Sequence, residues 1–209
     1  MLKYQTREVC VDPREREVFS PCLRAFLVKR LSPSDWQHNL PFATMPAMRG
    51  NDKVLKQLGE ALKAELTAIN QYFLHSKMCE NWGYFRLGAY YRKESIEEMV
   101  HAEKLMDRIL FLEGTPNMTD VGPIKVGTNV KAQFESDLAL ELRAVKQLNE
   151  AIDLAVNVGD NASRALFEEI LKDEEHHVDY LEGQLHAIGE IGLDNFLAQQ
   201  LHEGGEEKD

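Results

Sequence analysis

Residues 94–104, ESIEEMVHAEK, and residues 169–182, EILKDEEHHVDYLE, each contain a Glu-x-x-His pair, Glu98 with His101 and Glu174 with His177. Positions three apart on a helix project to one side, so each pair can offer a carboxylate and an imidazole to a single point. Apolar stripes at helical spacing run through both pairs. In one, Glu94, Glu98 and His101 are continued by Leu105, Ile109 and Leu112; in the other, Glu174 and His177 lie between Ile170 and Leu181, with Ile188 beyond. Both pairs therefore sit on the faces that two helices would turn inward.

Two more acids interrupt similar stripes. Glu65 falls among Leu58, Leu62, Ile69 and Tyr72, and Glu141 among Phe134, Leu138, Val145, Leu148 and Ile152. Four helices thus each point one Glu inward. Carboxylates cannot stay charged and unpaired in a dry interior, where each buried ion costs several kcal/mol. Two divalent cations would supply four positive charges against four carboxylates, with two neutral imidazoles completing the ligand shells. Hard oxygen donors with two imidazoles suit iron or manganese, and spacing alone does not separate these.

The chain has 209 residues, 44% hydrophobic and 28% charged, enough for one domain with a substantial core. Its three cysteines, Cys10, Cys22 and Cys79, form no C-x-x-C pair, so neither a disulfide framework nor a thiolate metal knuckle is indicated and a reducing compartment is expected. The sequence has no run of eighteen apolar residues, so no membrane span is expected. The net charge of -11 argues against nucleic acid as a partner.

Residues 1–47 differ in kind. They hold five of the seven prolines, carry seven Lys and Arg against five Asp and Glu, and show no sustained helical period. They read as a non-core N-terminal extension, either disordered or the product of a start assigned upstream of Met48. Helical patterning starts at Asn51. A first helix is expected from Asn51 or Asp52 to about Trp82, a second from Tyr84 to Glu113, a third from Val130 to Val158 and a fourth from Asn161 to Ile188. The links after the first and third are very short. Thr115 to Asn129, with Pro116, Gly122, Pro123 and Gly127, is a long crossover between the second and third. The expected fold is all-α, a four-helix bundle of the up-up-down-down kind with the second and third helices parallel. A short fifth helix, Leu193 to Leu201, follows, and residues 204–209 are an acidic tail expected to be disordered.

From Met48 to Glu203 the sequence resembles the bacterioferritins, carried by ELTAINQYFLH (65–75), ESIEEMVHAEK (94–104), RILFLEG (108–114), SDLALEL (136–142) and EILKDEEHHVDYLE (169–182). The resemblance implies a ferritin-like domain with a di-iron ferroxidase centre, in which Glu65 and His101 hold one iron, Glu141 and His177 the other, and Glu98 and Glu174 bridge them. It implies oxidation of Fe²⁺ to Fe³⁺ by O₂ or H₂O₂ and storage of the ferric oxyhydroxide inside a cytoplasmic shell of twenty-four subunits, with a second ferritin subunit type as an optional co-assembling partner. It also implies haem b between two subunits, with Met99 of each as axial ligand, and a small ferredoxin as electron donor for iron release. Around the second helix Met99 lies about 100° from Glu98, on a side shared with Ser95, Ala102 and Met106. This places it away from the interior, where a subunit interface can form.

Other residues carry weaker signals. Tyr72, on the Glu65 stripe, is either a core tyrosine with a satisfied hydroxyl, a hydrogen-bond partner of a ligand or a carrier of an electron. His176 points about 100° from His177 and is not counted as a ligand. Lys93 stands where many of these proteins have His, so an additional inner-surface iron site is not expected, although Glu97 keeps an acid nearby. The competing reading is a di-iron or di-manganese peroxidase or catalase, and a third is a structural or DNA-protecting shell with no working centre. The two complete Glu-x-x-His pairs weigh against the third.

Overall fold

The computed structural model describes residues 49–201. The expectations for residues 1–47 and for the tail 204–209 lie outside the described residues. Four long helices are present, α1 (Asp52–Asn81), α2 (Phe85–Phe111), α3 (Val130–Val158) and α4 (Asn161–Ile191), followed by the short α5 (Leu193–Ala198).

Local chemistry sets their ends. The side chain of Asn51 accepts from Lys53 N at 2.9 Å to open α1, Asn129 accepts from Ala132 N at 2.9 Å to open α3, and Asp160 accepts from Ser163 N at 3.0 Å to open α4. Gly83, with φ of 85°, lets the chain turn sharply from α1 into α2. The third helix has the expected limits. The fourth runs three residues further than expected because Gly189 stays helical and Gly192, at φ 78°, is the residue that leaves the helix. The fifth helix stops at Ala198, not at Leu201, and amounts to less than two turns.

Contacts along the helices give their directions. Ser95 Oγ donates to Ile69 O at 3.0 Å and Ser76 Oγ to Gly88 O at 2.8 Å, so numbers rise on α1 as they fall on α2. Gln71 Nε2 donates to Asp137 Oδ1 at 2.7 Å and Cys79 Sγ to Gln133 Oε1 at 3.2 Å, which makes α1 antiparallel to α3 as well. Therefore α2 and α3 are parallel, and the crossover 115–129 spans the bundle's length. It lies along α1, with Gly122 N donating to Thr67 Oγ1 at 2.8 Å and Lys125 N to Gln71 Oε1 at 2.9 Å.

The core has two apolar parts. One gathers Val54, Leu58, Leu62, Leu105, Ile109, Leu148, Phe167 and Ile170; the other gathers Tyr72, Leu87, Tyr91, Phe134, Leu181, Ile188 and Phe196. Between them lies a layer of buried polar side chains that includes the four residues of the two Glu-x-x-His pairs together with Glu65 and Glu141.

One ion pair pins the α3–α4 turn to α2. Arg108 Nη2 reaches Asp160 Oδ1 at 2.6 Å, and Asp160 also accepts from Ser163 Oγ at 2.8 Å. Burial works against the charge of this carboxyl, yet the hydrogen bonds from Ser163 and the Arg108 guanidinium hold its pKa below the usual aspartate value. An Asp160→Ala variant loses the cap and the pair together and should be less stable by about 1–3 kcal/mol. A depressed pKa gives stability that is present above the unfolded-state value, about 3.9, and lost as pH falls through the folded-state value. The difference in urea midpoint between parent and variant should therefore be full near neutrality and shrink as pH falls through the folded-state value.

Candidate metal centre

The four helices bring Glu65, Glu98, His101, Glu141, Glu174 and His177 into one layer, none of them more than 6% exposed. Two overlapping groups of potential ligand atoms result, each with its atoms within 4.8 Å of one another. Glu65, Glu98, His101 and Glu174 form one, and Glu98, Glu141, Glu174 and His177 form the other. Glu98 and Glu174 are common to both. This arrangement is that of two adjacent cation positions sharing two carboxylates.

The imidazoles are oriented crosswise. His101, on α2, directs Nε2 to Asp173 Oδ2 on α4 at 3.2 Å; His177, on α4, directs Nε2 to Glu94 Oε2 on α2 at 2.9 Å. An outer carboxylate at Nε2 keeps the proton there and leaves the Nδ1 lone pair for a metal. Both Nδ1 atoms do face the centre, His101 at 3.0 Å from Glu98 Oε2 and His177 at 3.1 Å from Glu174 Oε2. Asp173 and Glu94 were not singled out as site residues by sequence. Glu94 lies one turn before Glu98, a usable signal, but Asp173 next to Glu174 looks like any solvated acid until the register of α2 against α4 is known.

Charge within the layer is unevenly distributed. Burial, then the charges of Glu174 and Glu98, pushes Glu65 well above the usual carboxylate range, and the same causes raise Glu141. Burial also opposes the charge on Glu98, but hydrogen bonds from His101 and His177 outweigh it and bring that carboxyl down to about 2. Burial disfavours the imidazolium forms of His101 and His177, and their carboxylate neighbours overcome it and raise both pKa values. Among the described residues no lysine or arginine is buried in this layer. Such a donor set fits divalent cations, which can offset more negative charge than two protons can.

Tyr72 is fully buried and its hydroxyl donates to Glu141 Oε1, so it partners a candidate ligand. Beside it, Asp137 accepts from Gln71 and faces His75 Nδ1 at 3.0 Å, a buried group with no sequence motif to reveal it. A cavity of about 390 Å³ opens at the His177 side, lined by Tyr90, Lys93, Glu94, Glu97, Asp173, His176, His177 and Tyr180. Lys93 Nζ bridges Glu94 at 3.1 Å and Glu97 at 2.9 Å there, and His176 is exposed and outside both ligand groups.

Met99 is 43% exposed, on the outside of the bundle, as expected. Its companions are different. Ser95 and Ala102 are buried, because Ser95 bonds to Ile69 O and Ala102 packs in the core, and the exposed stripe around Met99 consists of Ile96 and Val100. The 100° rule gave the angle between residues but not which arc of α2 is covered by α1.

An all-helical bundle that buries two Glu-x-x-His pairs and two further Glu in one layer defines the ferritin-like class, and residues 55–191 match the ferritin-like domain of the Ferritin family. The chain is 48% identical over 152 residues to a bacterioferritin of Mycobacterium leprae, an alignment covering 73% of this chain and 96% of that protein. It is 47% identical to bacterioferritin BfrA of Mycobacterium tuberculosis over the same shares. A bacterioferritin of Brucella melitensis is 46% identical over 149 residues, 71% of this chain and 92% of that one. The chain belongs to the bacterioferritin branch of the ferritin-like family.

Proposed function

We propose that this protein stores and detoxifies iron, oxidising Fe²⁺ to Fe³⁺ at the α1–α4 centre with O₂ or H₂O₂ and holding the product as ferric oxyhydroxide in a cytoplasmic shell of twenty-four subunits. The observation that carries this reading is the sharing of Glu98 and Glu174 between two buried ligand groups, which keeps two metal ions adjacent so that each can give one electron to the same oxidant. Glu65 with His101 would hold one iron and Glu141 with His177 the other. The six side chains bind Fe²⁺ as substrate, Asp173 and Glu94 aim the imidazoles, and the apolar clusters above and below exclude bulk water. Membership of the ferritin-like family supports storage as the outcome, and no helix among the described residues is long and apolar enough to cross a membrane.

Met99 supports haem b as a second group. Its exposed thioether lies on an apolar outward stripe with Ile96 and Val100, a fit for a haem shared with the Met99 of a second subunit. Haem bound there would supply electron transfer, and a small ferredoxin would be the donor when stored iron is released. Association with a second ferritin subunit type would use the same outer faces.

Loading the purified assembly with Fe²⁺ in air tests the main reading. Uptake far beyond two irons per subunit, with an ultraviolet ferric mineral band and a particle of several hundred kilodaltons, is expected. Steady peroxide consumption without mineral would overturn storage in favour of a peroxidase or catalase. In the same preparation a haem absorption band that disappears in Met99→Ala checks the haem site.

A further inference from the structure

A second cavity, of about 240 Å³, lies on the α1–α3 side of the bundle, opposite the α2–α4 cavity. Lys63 and Thr67 line it from α1, Arg143 and Gln147 from α3, and Gly122 from the crossover. Ala64 and Ala144, also in the lining, stand next to Glu65 and one turn after Glu141, so the cavity abuts the two helix turns that carry those carboxylates.

The polar groups here are donors that lack acceptors. Gln147 Nε2 is buried without a hydrogen-bond partner, and a buried donor left unpaired is costly. Arg143, four residues earlier on the same face of α3, is exposed and forms no ion pair among the described residues. Lys63 is a second cation, held by Asp120 of the crossover at 2.8 Å, which raises its pKa and keeps it charged. Thr67 Oγ1 is already used, donating to Lys63 O at 2.7 Å and accepting from Gly122 N at 2.8 Å. A Cβ on Gly122 would stand 3.0 Å from that oxygen, so glycine is what lets the crossover close over the cavity. Glu60, the one acid in the lining, lies outside ion-pair distance of both cations. The two cavities thus differ in sign. Glu94, Glu97 and Asp173 face Lys93 in one, whereas Lys63 and Arg143 face Glu60 in the other.

We propose that the α1–α3 cavity binds a small oxyanion of the phosphate or carbonate class, with the Arg143 guanidinium and Gln147 Nε2 donating to its oxygens and Lys63 adding charge. A guanidinium meets two oxygens of such an anion through paired N–H groups, and the amide supplies a further donor from the next turn. The anion lies beside the turns that carry Glu65 and Glu141, away from the acid-lined cavity. Its charge favours cations in the metal layer, and cations there favour the anion by the same factor. This coupling stands apart from the ferroxidase reading, since a redox-silent ion shows it.

Calorimetric titration of the assembled, iron-free, full-length protein with inorganic phosphate, and separately with bicarbonate, tests the site. Parent, Arg143→Gln, Gln147→Leu and the surface control Lys146→Gln are compared, with sedimentation and circular dichroism showing that each assembles. Arg143→Gln, a change at an exposed position, carries the test if Gln147→Leu does not assemble. One anion per subunit should bind to the parent and to Lys146→Gln, the tighter of the two naming the anion, and binding should be about tenfold weaker in Arg143→Gln and Gln147→Leu. Loading the centre with Co²⁺ should tighten anion binding severalfold in the parent and broaden the ³¹P resonance of bound phosphate, effects that a site elsewhere on the protein would not show. Absence of saturable binding for both anions, equal affinity in all four proteins, or an affinity indifferent to Co²⁺ overturns the site and leaves the ferroxidase reading untouched.

Discussion

A Glu98→Ala, Glu174→Ala double variant is expected to lose paired metal binding and to slow initial Fe²⁺ oxidation by about 100-fold or more, since even an outer partner of a metal ligand is commonly worth 10–100-fold. These two carboxylates belong to both ligand groups, so their removal breaks each group and leaves nothing to hold two ions side by side. The fold should survive. Alanine is the strongest helix former, and the apolar clusters on either side of the polar layer contain neither residue. Two buried carboxylates would also no longer need compensation. Stopped-flow absorbance after mixing with Fe²⁺ and O₂, beside circular dichroism and sedimentation, separates loss of chemistry from loss of structure. An assembled double variant that oxidises iron at the parent rate would place ferroxidation elsewhere.

The second large effect concerns stability. Co²⁺, which is redox-silent under these conditions and accepts the same oxygen and imidazole donors, should raise the parent's melting temperature by about 10–20 °C. An ion present at about 100 times its dissociation constant contributes about 2.7 kcal/mol per site, and two sites are available. For a chain of this size each kcal/mol moves the midpoint by about 2–4 °C. The effect should be nearly absent in the double variant and reversed by a chelator. Differential scanning calorimetry at several Co²⁺ concentrations would show it, and an equal shift in parent and variant would mean that the ions act elsewhere on this acidic surface.

How much of this could be read from sequence depended on whether a residue's partners lie on its own helix. Val130 and Val158 were found as helix limits because Asn129 and Gly159 are local signals, and the six candidate ligands were found because each interrupts a stripe on its own helix. Asp173 was missed because its role depends on the place of His101 on another helix, and no spacing within residues 161–191 encodes that. The same limit explains Ser95 and Ala102, whose burial is set by where α1 covers α2. The fifth helix was overextended because six residues hold too little periodicity to define an end.

The polar layer between the two apolar clusters also bears on how the helices find their alignment. Apolar stripes repeat every turn, and a bundle lined uniformly with them could slide by one turn and still bury hydrocarbon against hydrocarbon. Here a slip of one turn on α1 or α3 would set a buried carboxylate against apolar side chains, and a slip on α2 or α4 would also take His101 or His177 away from the carboxylates it pairs with, a penalty of several kcal/mol. The same six side chains that define the candidate chemistry therefore act as a longitudinal ruler, allowing one alignment and raising the energy of its neighbours.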